Sequence, residues 1–294
     1  MAKESSTRSV ARVISVLKCF SPEQLELTPV EISEKTNIPI ATTYRLLSGL
    51  SKGRLLRKRR TTGKYCIGPD FYLIGNLFLN TAEPLSVVAP ILKLLNSLTS
   101  EVVAAGILEG RYVTVILREE SRHSLKFGVR VGSIFPTHVL SMGKAFLSEL
   151  SEAEIDELYP QEELTRYTPR TVATKTELKR ELEEIRRTGV AVNIEQTTEG
   201  IESVGAVVHD DTGAAVIALS IGVPTIRMNE EKRQRHIQLL KMASSLASYR
   251  LGYHDNKTPV KTAEEISSWW DHTSDKKLDT TEHLQTINNL QKRG

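Results

Sequence analysis

A chain of 294 residues is long enough for about two domains, each able to bury a core of its own. Its two cysteines, Cys19 and Cys66, exclude a disulfide framework and lack metal-ligand spacing, and with no phosphate loop or metal pattern in the sequence neither a metal nor a cofactor is expected. The net charge of +3 conceals an asymmetry: residues 1–68 hold 13 Lys/Arg against 5 Asp/Glu (+8), and the remainder 26 against 31 (−5), the balance expected when only one domain meets phosphate.

The opening MAKESSTRSV has no apolar signal core, and no run approaches the length of a membrane span, so the expectation is a soluble cytoplasmic protein without membrane contact. Residues 9–20 carry a helical stripe of Val10, Val13, Ile14, Leu17 and Phe20. Thr28, Pro29 and Glu31 then form a helix start, with a capping threonine, a proline suited to the first helical position and a glutamate to close a capping box. The Asn37-Ile38-Pro39 sequence breaks that helix, because a residue before proline is pushed out of the α region. A second helix is predicted over 40–52, with Thr43, Leu46, Leu47 and Leu50 on one face and Ala41, Arg45, Ser48 and Lys52 on the other. The outer face is polar, short-chained and basic, as a helix in a major groove must be. Two short strands follow around Thr61-Thr62-Gly63, carrying the run Arg57, Lys58, Arg59 and Arg60 and then Lys64.

This is a winged helix-turn-helix pattern, and the candidate DNA-binding residues are Ala41, Thr42, Thr43, Tyr44, Arg45, Ser48, Arg57, Lys58, Arg59, Arg60 and Lys64. A lone basic run is as readily a solvated turn; joined to a capped helix-turn-helix it reads as a phosphate contact.

Residues 70–80 are apolar nearly all round, which suits a linker helix shared between two chains, ended by Pro84. The stretch 85–253 reads as mixed α/β: a helix over 87–98, strands over 102–108, 112–118 and 125–131, and a helix over 136–150. Capping boxes open helices at Ser151 and Thr174, and Gly189 terminates the second of these. The runs 204–208 and 215–221 form a hairpin around an Asp/Gly turn, and Asn229 caps a long helix that ends at Gly252. Such a sheet with flanking helices encloses a cup for a small ligand. Gly106 in the first strand marks either a bulge or a close approach of ligand. Residues 254–294 are polar and read as a flexible tail with a marginal helix near 281–291, and its bulky pair, Trp269 and Trp270, either anchors the tail to the domain surface or lies exposed. The domain division is therefore 1–68, 69–84 as linker, 85–253 and 254–294.

The basic winged helix, the apolar linker, the segment MGKAFLS and the segment EGIESVGAVV…ALSIG together resemble the IclR family of bacterial transcriptional regulators, over about residues 5–253. The resemblance implies an α+β protein: an N-terminal winged helix-turn-helix domain, a linker helix and a C-terminal GAF-like α/β effector-binding domain. It implies a homodimer or tetramer that binds a palindromic operator in double-stranded DNA under control of a small-molecule effector, often a carboxylic acid. The effector site it implies uses the backbone at Ser141, Met142 and Gly143. This chain has Asn193 where the family often has aspartate, Ser203 where it often has cysteine, and Ser220 and Gly222 where some members have two serines. A less negative and roomier pocket points to a bulkier ligand, aromatic or carbohydrate-derived. The alternatives are a DNA-binding regulator without ligand response, and an enzyme using His138 or His209. Neither histidine has a spaced nucleophile or carboxylate partner in the sequence.

Overall fold

The computed structural model describes residues 2–21, 24–81, 83–125, 129–254 and 260–273. They divide into two units, Met1–Ala82 and Glu83–Gly294.

The first unit runs α1 (Ala2–Leu17), α2 (Pro29–Thr36), α3 (Ile40–Lys52), β1 (Leu56–Lys58), β2 (Tyr65–Ile67) and α4 (Pro69–Thr81). The capping box is formed: the Thr28 N–H donates to the Glu31 carboxylate at 2.6 Å, and the Glu31 N–H donates to the Thr28 hydroxyl at 3.2 Å. These bonds hold the Glu31 carboxyl below its ordinary pKa. Asn37 ends α2 in the left-handed region at φ 54°, which asparagine tolerates better than most residues. Ile32, Ile38, Leu47 and Leu50 then meet Val16, Leu27, Leu56 and Tyr65 in one core. Leu27 and Tyr65 exchange backbone hydrogen bonds of 2.9 and 2.7 Å, tying the ribbon to the start of α2. At the ribbon's exit a Cβ on Gly68 would lie 2.0 Å from the Arg54 carbonyl oxygen, so only glycine fits. On α4, Tyr72, Leu73, Ile74 and Leu77 are exposed, Tyr72 at 74%. Pro84, expected to end this helix, lies instead in the first turn of the next one, where a missing N–H is no loss.

The second unit is built on one six-stranded antiparallel sheet, in the order β5-β4-β3-β8-β7-β6. Its elements are α5 (Glu83–Thr99), β3 (Val102–Glu109), β4 (Tyr112–Glu119), β5 (Ile134–Pro136), α6 (Ser141–Ser148), α7 (Glu152–Leu158), α8 (Lys175–Thr188), β6 (Ala191–Ile194), β7 (Ile201–His209), β8 (Ala215–Pro224), α9 (Glu230–Arg250) and α10 (Ala263–Thr273). Val102, Ala104 and Ala218 share a core with Met142 and Phe146 of α6, so this sheet face is the one α6 covers. The alternate residues Val103, Leu219 and Ile221 point the other way, toward α5 and α9. A further core joins α6, α7 and α8 through Leu147, Ile155, Leu178 and Leu182. Two buried carboxylates pin α9 and its approach: Glu101 is gripped by the Arg227 guanidinium, and Glu202 by that of Arg233.

The observed elements correct three expectations and decide between two readings of Gly106. The strand after β4 is Ile134–Pro136, not 125–131: Leu125 and Val131 are exposed, and a left-handed turn at Gly132 sets the pairing. Residues 126–128 lie outside the described residues. The helix predicted over 136–150 is broken, with a 3-10 turn at Thr137–Val139, an extended Leu140 and only then α6. Gly106 sits at a register shift between β3 and β4, so the bulge reading holds, and its hypothetical Cβ meets Val113 at 2.5 Å. Residues 263–273, expected within a flexible tail, form α10, which packs on α5 and α9 by Ala263, Ile266 and Trp270. Trp270 lies parallel to His236 at 6.1 Å, with the Arg235 guanidinium 4.2 Å from its ring. The helix expected near 281–291 falls outside the described residues.

Candidate nucleic-acid interface and ligand cup

α3 presents Ala41, Tyr44, Arg45 and Ser48 to solvent, with Thr42 half-buried beside them. Thr43 corrects the sequence reading: it is fully buried, and its hydroxyl donates to the Ile38 and Pro39 carbonyls at 3.2 and 3.3 Å. It belongs to the packed face with Leu47 and Leu50 and cannot reach a base. Behind α3 the ribbon exposes Arg57, Lys58, Arg59 and Arg60, with Lys64 half-buried. Arg59 is partly neutralised by Glu26, 2.7 Å away, and Lys58 lies 5.8 Å above the Tyr65 ring. Arg57 and Arg60 have no ion pair among the described residues. A polar helix face thus stands beside cations on the ribbon that make no ion pair, the chemistry a phosphate backbone meets.

The cup of the second unit is set by sheet register. Asn193, Ser203, Gly222 and Val102 lie across one row of β6, β7, β8 and β3, and Gly205, Ser220 and Ala104 across the next. Over these rows stands the start of α6. A Cβ on Gly205 would lie 2.5 Å from the Ser141 carbonyl carbon, so helix and strand touch backbone to backbone. The Ser203 hydroxyl donates to that of Ser141 at 2.9 Å. Ser220 is buried and sits in the ladder between Gly205 and Ala104. The first amides of α6 have no intrahelical acceptor and carry the positive end of the helix dipole.

Three of the residues implied by the resemblance have other work. The Asn193 amide donates to the Val139 carbonyl at 2.5 Å and to Thr197 at 3.0 Å, and its oxygen accepts from the Gln196 N–H at 3.0 Å. With those bonds made it positions the chain entering α6 more than it faces a ligand. Gly143 is a packing glycine, because a Cβ there would lie 2.2 Å from the Thr137 carbonyl oxygen. The Met142 side chain fills the core with Phe146, leaving only its backbone for a ligand.

Sequence reasoning missed Lys144. It is fully buried on α6, and its ammonium donates to Glu181 of α8 and to the Gln196 side chain, while Gln196 donates to Glu181 at 3.0 Å. Burial depresses the Lys144 pKa and the Glu181 charge opposes that. Its signal in the sequence was a single cation inside an otherwise small and apolar helix. His138 is buried with Nε2 against the Thr165 carbonyl at 2.9 Å, and burial lowers its pKa. His209 pairs with Glu149 at 3.1 Å and stacks on Tyr253. Neither is aligned with a nucleophile among the described residues.

Residues 9–60 match the IclR helix-turn-helix domain, and residues 78–249, more than half of the chain, match the bacterial transcriptional regulator IclR C-terminal domain. The chain belongs to the IclR family. Its curated relatives include the HTH-type transcriptional repressor AllR of Escherichia coli K12, 26% identical over 249 residues, which cover 85% of this chain and 92% of AllR. The HTH-type transcriptional regulator KdgR of Dickeya chrysanthemi is 26% identical over 250 residues, covering 85% of this chain and 82% of KdgR. Among solved structures, IclR of Thermotoga maritima superposes with a TM-score of 0.71 at 26% identity, over 84% of this chain and all of its own. As an IclR-family member the chain is a DNA-binding transcriptional regulator, and its second unit is the family's C-terminal α/β domain. No helix among the described residues is long and apolar enough to cross a membrane.

Proposed function

We propose that this regulator is a cytoplasmic, non-enzymatic repressor that binds a palindromic operator as a homodimer or a dimer of dimers and changes its grip when a small acid enters the cup. The carrying observation is the division of α3, whose inner face is closed in the core while Ala41, Tyr44, Arg45 and Ser48 stand free beside the wing cations. In this reading Thr42, Tyr44, Arg45 and Ser48 meet base edges, and Arg57, Lys58, Arg60 and Lys64 meet phosphate. A second copy covers the apolar residues that the first unit leaves in water: Val10 and Ile14 of α1, and Tyr72, Leu73, Ile74 and Leu77 of α4. A two-fold axis there would place two recognition helices on two half-sites.

In the cup, the Ser141 and Met142 amides and the Ser203 and Ser220 hydroxyls hold the effector's carboxylate, and Gly222 leaves room for an aromatic or sugar-derived body. Repression as the sign of control is favoured by the relative AllR. Operator selection from random DNA with purified protein gives the site directly. Arg45→Ala is then expected to weaken that operator by about 1–3 kcal/mol and to relax one base position. Unchanged affinity and preference would remove α3 as the reader. A thermal-shift panel of aliphatic, aromatic and sugar acids tests the cup, since a ligand at 100 times its Kd stabilises by about 2.7 kcal/mol. Ser220→Ala should abolish the shift.

A further inference from the structure

The seam between α9 and α10 buries polar groups without pairing them. Nε and Nη2 of Arg235, Nδ1 of His236, Nε1 of Trp270 and Oδ1 of Asp271 are shut from water and have no hydrogen-bond partner among the described residues. His236 and Trp270 are each only 6% exposed. Buried polar groups are normally hydrogen-bonded, so a cluster of this kind points to bonds supplied from outside the chain. The cluster is also ordered. The Arg235 guanidinium carbon stands 4.2 Å from the Trp270 ring centre, and the His236 ring lies parallel to that tryptophan at 6.1 Å. Arg235 borders a hollow of about 420 Å³ whose other walls are Glu231, Gln234, Gln238, Trp269 and Thr273. The hollow lies on the α9 side of the sheet and the cup on the α6 side, so the two are separate.

We propose that this hollow binds a small monocarboxylate that also carries a hydrogen-bond donor, an α-amino acid or an α-hydroxy acid. Stacking on Trp270 fixes the plane of the Arg235 guanidinium, and Nε and Nη2 share the one edge of it that forks a carboxylate. The indole N–H of Trp270 is a further donor for the same oxygens. Glu231, one helical turn before Arg235, makes no ion pair among the described residues. Its carboxylate accepts from the ligand's ammonium or hydroxyl group and repels a second negative charge, which disfavours dicarboxylates and phosphate. The flat ring of Trp269 is left as a wall for the rest of the ligand. Both tryptophans lie beyond residue 249, where the family match ends, so α10 adds this site to the shared domain.

Trp269 and Trp270 are the only tryptophans of the chain, so its intrinsic fluorescence reads this seam. The test is a fluorescence titration of the full chain with L-serine, lactate, succinate and inorganic phosphate. Saturable changes are expected with L-serine and lactate, at least about tenfold tighter than with succinate or phosphate. Arg235→Lys keeps the charge but loses the fork, and should weaken L-serine at least about tenfold. Glu231→Gln, on the exposed rim, should weaken L-serine and strengthen succinate, while Ser220→Ala in the cup should leave the titration unchanged. No saturable change with any of the four compounds overturns the proposal, as does equal affinity for L-serine in Arg235→Lys. A ranking led by succinate or phosphate overturns it too. So does a response lost in Ser220→Ala, which would put the ligand in the cup.

Discussion

The two units treat charge in opposite ways. In the first, Arg45, Arg57 and Arg60 stand in water with no ion pair among the described residues, and Glu26 alone engages the wing through Arg59. In the second, charges are taken inside and matched: Glu101 with Arg227, Glu202 with Arg233, and Lys144 with Glu181 and Gln196. A surface that will bind a polyanion keeps its cations uncommitted, because each released counterion adds to the affinity. The buried pairs of the second unit have no such outlet, and they fix geometry instead.

The sharpest way to break this contrast is to strip one partner from each unit. Arg233→Ala leaves the Glu202 carboxylate, only 2% exposed, without its fork. The expected loss is about 3–5 kcal/mol in urea unfolding, whereas removing Arg57 or Arg60 should leave the unfolding midpoint in place. A midpoint unmoved by Arg233→Ala would end the claim that the second unit depends on internal pairing.

A smaller effect is expected from pH. His236 is buried against Trp270, and desolvation lowers its pKa to about 4 from an ordinary 6.5. The unfolded chain therefore binds the proton first, and stability rises with pH across that window. The contribution is complete above about pH 6.5 and lost as pH falls toward 4, amounting to at most about 3 kcal/mol. Tryptophan fluorescence, which reads Trp269 and Trp270 on α10, should report the loss, and His236→Gln should flatten it. The smallest effect concerns Thr43. Thr43→Val should cost about 1 kcal/mol of stability for its buried hydrogen bonds and leave the preferred operator sequence unaltered. A changed preference would return that residue to the DNA-reading set.

The first unit was legible because its signals are local. The Thr28 cap, the Asn37 stop, the bounds of α3 and the turn between β1 and β2 all follow from residues a few positions apart. The helix angle already placed Thr43 with Leu47 and Leu50, and its burial follows that face rather than the DNA-binding set that also included it. The second unit depends on pairings far apart in sequence. Four-residue β6 gave no alternation long enough to notice, and β5 is fixed by β4 rather than by its own residues. Position 193 was implied by the family resemblance, yet its bonds to Val139 and Thr197 exist only once the sheet is assembled. α10 hid because its buried stripe of Ala263, Ile266 and Trp270 is thin within a polar stretch.

Gly205 has a consequence for how this regulator can change over generations. The start of α6 rests on that bare stretch of β7, with no side chain between them to be trimmed or enlarged. In the proposed site, exchange of Ser203, Ser220 or Gly222 would retune what is bound, one residue at a time. At 205 no such gradation exists, since even one methyl group meets peptide backbone. The backbone contact between α6 and β7 is therefore the fixed seat, and the hydroxyls of the proposed site are what can vary around it.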